Sequence, residues 1–195
     1  SDGGIGLLEM GNGDVAIQAD TGNSINNSKI HFFLDGSEKL RIDSSGRVLI
    51  GTTIQGTAGA DELTLSTGGS TGITIRSGSS NDGNLYFAMG TTGNETYRGF
   101  IQYEHSNNAL RFGTNATERL RMTSAGRFGF NRSAPQYAMH LSPADGQSRI
   151  DLHMTNDTTG HNNNDGVQFG YQNSAGAYIW NFENTNIYFG TNNAT

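Results

Sequence analysis

The sequence predicts an all-β chain built from repeated units and associating as an elongated homotrimeric fibre, and three observations predict it. The first is a duplicated segment. Lys29-Ile-His-Phe-Phe-Leu-Asp-Gly-Ser-Glu-Lys-Leu-Arg-Ile-Asp-Ser-Ser-Gly-Arg-Val-Leu-Ile-Gly51 returns as Ala109-Leu-Arg-Phe-Gly-Thr-Asn-Ala-Thr-Glu-Arg-Leu-Arg-Met-Thr-Ser-Ala-Gly-Arg-Phe-Gly-Phe-Asn131, and its opening returns once more as Ile187-Tyr-Phe-Gly-Thr-Asn-Asn-Ala-Thr195. Phe32, Phe112 and Phe189 are thus spaced by 80 and 77 positions, longer than the common solenoid repeats and closer to a small β-module. The second is period-two alternation of apolar and polar residues through almost every segment that is not a Gly/Ser/Thr/Asn cluster. The third is composition: 28 Gly against 2 Pro suit tight turns between short strands.

Val, Ile, Leu and Phe make up only 38 of 195 residues. A chain this poor in large apolar residues borders on disorder, but disorder usually couples low hydrophobicity to high net charge, and here the charge is only -6. A thin core favours intertwining with identical chains instead. The expected architecture is therefore short antiparallel strands and hairpins, of β-sandwich or β-prism type, closed by trimerisation.

The strands read as follows. Leu63-Thr-Leu65, Ile73-Thr-Ile75-Arg, Leu85-Tyr-Phe87-Ala-Met89, Phe100-Ile-Gln-Tyr103, Leu110-Arg-Phe112 and Leu120-Arg-Met122 each place apolar residues on one face. The last third repeats the order with Met139-His-Leu141, Ile150-Asp-Leu152-His-Met154, Val167-Gln-Phe169-Gly-Tyr171, Tyr178-Ile-Trp180-Asn-Phe182 and Ile187-Tyr-Phe189. Ser44-Ser-Gly46 and Ser124-Ala-Gly126 separate strand pairs at hairpin spacing, with Gly free to take a positive φ. No segment combines helical periodicity with an N-cap, so helix content is expected to be minor. The turn-rich stretches Gly51–Gly59 and Asn131–Pro135 mark expected boundaries, giving a partial first unit 1–57, a complete unit 58–135 and a truncated unit 136–195.

Several chemistries are excluded or unsupported. Without cysteine there is no disulfide, thiolate metal site or cysteine nucleophile. No apolar run reaches the ~20 residues of a membrane span. The opening Ser1-Asp-Gly-Gly-Ile-Gly has neither an initiator Met nor a signal-peptide pattern and points to a fragment or a processed chain. Dispersed Arg residues and 12 Lys plus Arg against 18 Asp plus Glu offer no phosphate-neutralising stripe, so nucleic acid is not an expected partner.

His31, His105, His140, His153 and His161 are scattered and form no ligand motif; no metal or cofactor is expected, although a trimer could bring three copies of one His to its axis. Asp157–Gly166 is oxygen-rich but lacks EF-hand spacing and reads as an Asn/Gly turn. Asp61, Glu62 and Glu104 form no clear acid/base pair, so the chain is not expected to be an enzyme. Glu38 with Arg41, and Glu118 with Arg121, recur in the repeat and read as pairs that could fix register across chains, against a solvated strand face worth little energy. Tyr171, Tyr178 and Trp180 concentrate aromatic area and are candidate glycan contacts, with an inward-facing strand as the competing reading. Alternation puts Leu40 with Ile42, and Leu120 with Met122, on a face expected to form the core between chains, with Lys39 and Arg41 on the other.

The run Glu38-Lys-Leu-Arg-Ile-Asp-Ser-Ser-Gly-Arg-Val-Leu-Ile-Gly-Thr-Thr53 resembles the Glu-Arg-Met-Arg-Ile-Asp-Ser-Ser-Gly-Asn-Val-Gly-Ile-Gly-Thr-Thr repeat of bacteriophage tail fibre proteins, and Arg98–Thr114 resembles another block of the same unit. The second copy departs from that pattern at Met122-Thr and Phe128-Gly-Phe-Asn131. In that family such repeats often precede an endosialidase-type intramolecular chaperone that promotes trimerisation and then cleaves itself off; no such segment occurs here, which fits a cleaved product or an incomplete piece. The resemblance implies a structural and host-adhesion segment of a virion tail fibre, extracellular, whose partners are its own copies, other tail proteins and a host-surface receptor of glycan type. Two other readings stand beside it: a tailspike-type polysaccharide depolymerase, and a bacterial trimeric surface adhesin.

Overall fold

The computed structural model describes residues 7–11, 14–143, 148–174 and 176–190. It is all-β, with fifteen strands and a single short 3-10 turn, Gly93–Tyr97, among the described residues. The chain divides into two compact units, 1–74 and 75–195.

The first unit holds a two-stranded ribbon, β1 (Leu7–Gly11) with β2 (Asp14–Gln18), and a four-stranded sheet. That sheet runs β3 (Ile30–Leu34), β4 (Ser37–Ile42), β5 (Val48–Ile50) and β6 (Leu63–Leu65), in that order. β3 and β4 are joined by Asp35-Gly36, both at positive φ, which is the backbone twist a two-residue hairpin needs. The turn from β4 to β5 closes with Gly46 donating to the Asp43 carbonyl at 2.9 Å, with Gly46 at φ 81°.

The second unit begins with a six-stranded sheet: β7 (Gly83–Phe87), β8 (Gly99–Glu104), β9 (Ala109–Thr114), β10 (Thr117–Met122), β11 (Phe128–Phe130) and β12 (Met139–Leu141). Its last four strands reproduce the first sheet bond for bond. Phe32 lies opposite Leu40, which lies opposite Ile50, and Phe112 opposite Leu120 opposite Phe130. β5 takes β6 in parallel, Ile50 against Leu65, as β11 takes β12, Phe130 against Leu141. A three-stranded antiparallel sheet follows, β13 (Arg149–Met154), β14 (Val167–Gln172) and β15 (Gly176–Asn181).

Three expectations change. The sheets run past the cuts expected at 57 and 135, because β6 and β12 return to pair with the strand before the turn-rich stretch. A crossover loop to a parallel neighbour carries the same Gly/Ser/Thr composition as a boundary. Ile73-Thr-Ile75 forms no strand and both isoleucines are exposed. Phe112 repeats the position of Phe32, but Phe189 lies in no strand and is 84% exposed. In the earlier units a Glu-x-Leu-Arg strand holds this Phe, and the sequence has no third copy of it; Thr191–Thr195 lie outside the described residues.

Candidate functional site

The duplicated hairpin presents two chemically opposite faces. On one, the cross-strand rows of the second unit are Leu85, Ile101, Phe112, Leu120, Phe130, Leu141, and Tyr103, Leu110, Met122, Phe128, Met139. The first sheet carries Phe32, Leu40, Ile50, Leu65 and Ile30, Ile42, Val48, Leu63 in the same register. Leu40 with Ile42, and Leu120 with Met122, therefore lie in these apolar rows. Most of this surface is uncovered: Ile42 is 37%, Met122 38% and Phe87 58% exposed. Among the described residues the buried apolar side chains are Leu49, Phe100, Ala109 and Pro135.

The opposite face is closed by a carboxylate held between two side chains. Glu38 accepts hydrogen bonds from Arg41 Nε and, at 2.8 Å, from Arg41 Nη2, and its Oε2 lies 2.6 Å from His31 Nδ1. Glu118 is held the same way, by Arg121 Nε and Nη2 and by Arg111 Nε, each at 2.6 Å. Arg111 also donates to Gln102 at 2.7 Å, and Gln102 to Asn84 at 2.7 Å, so the network spans four strands. The Arg41 hydrogen bonds pull the Glu38 carboxyl down to about 2, with the His31 hydrogen bond contributing, although loss of solvent around it would raise it. For Glu118, burial alone would raise the carboxyl, but the bonds from Arg121 and Arg111 outweigh it and hold it below its ordinary value.

Strict alternation would set Glu38 beside Leu40 and Lys39 beside Arg41. The structure differs. A β-bulge places two residues of the strand against one, so that Phe33 pairs with Glu38 while Phe32 pairs with Leu40, and Lys39 is the extra residue; Arg119 is its counterpart. The bulge resets the alternation and brings Glu and Arg, three apart, onto one face. These forks are thereby satisfied within their own chain, and Lys39 points to solvent.

The aromatic candidates separate. Tyr171 shares a face with Leu152, Phe169 and Ile179, whereas Tyr178 and Trp180 lie on the other face of the same sheet. There Trp180, 57% exposed, contacts Phe182 with ring centroids 5.9 Å apart, and the Arg149 guanidinium sits 5.4 Å from the Tyr178 ring centre. Tyr178 donates to Asp151, Arg149 donates to Asp151 and Gln168, and Gln168 is 5% exposed. Arg149, Gln168, Gln172, Tyr178, Trp180 and Phe182 line a groove of about 250 Å³.

The other candidates are locally explained. His153 Nε2 meets the Asp165 carbonyl at 2.6 Å, His161 bridges Thr155 and Asp157, His105 stacks edge-on with Tyr103, and Gln136 N donates to His140. No three His, Asp or Glu side chains converge as metal ligands among the described residues. In the Asp157–Gly166 loop, Asp165 accepts from Asn162 N at 2.7 Å. Asp61 is taken by Arg47, which also grips Asp43 in the β4–β5 turn. Among the described residues no helix is long and apolar enough to cross a membrane. No protein-family model matches the chain, and no curated protein matches it.

Proposed function

We propose that this chain is a structural and host-adhesion segment of a phage-type tail fibre, a parallel homotrimer whose apolar sheet faces meet in a shared interior. The observation that carries the reading is the uncovered apolar face, repeated in register by both hairpin units. Nine apolar side chains of the six-stranded sheet, Leu85, Phe87, Ile101, Tyr103, Phe112, Met122, Phe128, Phe130 and Met139, are more than a third exposed on that face. An aromatic ring buries about 150–250 Å² when enclosed. Nine side chains two-fifths uncovered thus approach the ~800 Å² per partner of a specific interface.

A second copy of the chain presents the same apolar sheet faces by construction. Three copies let each of the two hairpin sheets give its apolar face to a prism interior and its polar clamps to the outside. The motif Glu38–Thr53 supports the phage assignment by resemblance. In this reading the chain works outside the cell as part of a virion, contacts other tail proteins and a host glycan receptor, and carries out no catalysis.

Because the chain has no native cysteine, a Met122→Cys variant carrying a nitroxide label tests the arrangement. The reading expects a single short distance between equivalent labels, with the three-spin signature of a threefold axis. Isolated spins would contradict it. Shortened host polysaccharide after incubation with the protein would instead favour a depolymerase.

A further inference from the structure

We infer that the groove on the Trp180 face of the third sheet is a saccharide-binding site. The inference deepens the adhesion half of the proposed function and rests on it.

Register supplies the first argument. Asn81-Asp-Gly83-Asn-Leu85-Tyr-Phe87 corresponds to Asn164-Asp-Gly166-Val-Gln168-Phe-Gly170, and the cross-strand partners agree. Leu85 lies opposite Ile101 as Gln168 lies opposite Trp180, and Phe87 opposite Gly99 as Gly170 opposite Tyr178. The face that is apolar in the second sheet is therefore rebuilt in the third, with an amide for Leu85, an indole for Ile101 and a phenol where Gly99 stands. A surface meant only for further copies of the chain would keep its apolar character, with no amide at the Gln168 position.

The rebuilt groove is also rigid. Gly170 has no Cβ, and one there would overlap the Asp151 carboxylate and crowd the Tyr178 ring, so glycine is what lets Tyr178 reach Asp151 across the sheet. Asp151 then fixes Arg149, and Arg149 fixes the buried Gln168 while lying over the Tyr178 ring. Amide, guanidinium and phenol are thus held beside an exposed indole.

That combination matches a pyranose, whose C–H face lies on an aromatic ring while its hydroxyls exchange hydrogen bonds with Gln172, Gln168 and Arg149. The groove, about 250 Å³, lies below the roughly 300–1,000 Å³ of drug-sized sites and suits one or two sugar rings.

Trp180 is the only tryptophan of the chain, so its emission reports this groove alone. The whole chain would be screened on an array of printed mono- to hexasaccharides, and the saccharide retained there titrated against Trp180 fluorescence. Binding should change the emission and protect it from acrylamide quenching. Gln168→Leu, which restores the aliphatic residue of the sister sheet, should weaken binding at least tenfold with the solution mass unchanged, and Trp180→Ala should abolish it. Retention of no saccharide, or undiminished binding by Gln168→Leu, overturns the proposal. So does an emission that responds to dilution of the protein and not to sugar, which would assign the face to contacts between copies. A monomer that binds sugar would leave the groove standing and remove the trimer.

Discussion

Glu38 and Glu118 titrate below their unfolded value, so their clamps stabilise the fold fully above the ordinary 4.5 and lose that contribution as pH falls through the folded value, about 2 for Glu38. Thermal melting should therefore decline more steeply once the pH drops below 4.5, and a Glu38→Gln, Glu118→Gln double variant should show a shallower decline. An unchanged acid profile in that variant would mean the clamps carry no pH-dependent stability. Two substitutions on adjacent residues separate the faces. Leu120→Asp sets a carboxylate on the apolar surface, where burial without a partner costs several kcal/mol, and should dissociate the assembly. Arg121→Ala removes charged hydrogen bonds worth about 1.5–3 kcal/mol and should lower the melting temperature with the oligomeric mass intact. Dissociation by both variants, or by neither, contradicts this division. The apolar pairs were legible in the alternation of Leu40 with Ile42 and Leu120 with Met122. The clamp was visible only as a recurring Glu-x-x-Arg, because the bulge that gathers it leaves no composition signal of its own.

The hairpin is the element that the repeat copies. Its two-residue turn is Asp35-Gly36 in the first unit, a strong local signal that strand periodicity alone passed over, and Asn115-Ala116 in the second. Ala116 is held at φ 56°, a conformation that costs a residue with a Cβ roughly 1–2 kcal/mol. Ala116→Gly should accordingly raise the melting temperature by a few degrees; a lower one would mean that glycine's unfolded-state entropy outweighs the relief. The same hairpin also adapts to its neighbours. Phe33 in the first unit corresponds to Gly113 in the second, where a Cβ would overlap the ring of Phe100 from β8. Arg111 then lies 5.9 Å from that ring, as His31 stacks on Phe33 at 5.9 Å. Duplication was readable from Phe32 and Phe112, but this exchange of aromatic supplier joins residues that no linear pattern connects.

At the scale of the molecule, the scarcity of large apolar residues anticipated a chain with little interior, and four buried apolar side chains among the described residues agree with it. Unit boundaries were less legible, since the loops to β6 and β12 look like linkers until pairing shows that they return. Tyr171, Tyr178 and Trp180 could be grouped by proximity in sequence, yet strand parity sends Tyr171 to the other face. The half-exposed rows from Leu85 to Leu141 and from Phe32 to Leu65 each leave unburied area worth on the order of 1 kcal/mol per large side chain, which association can recover. Multi-angle light scattering of the native chain at micromolar concentration tests that claim most directly. A trimer gives a particle of three times 20.9 kDa that persists on dilution; a compact particle of 20.9 kDa rules it out.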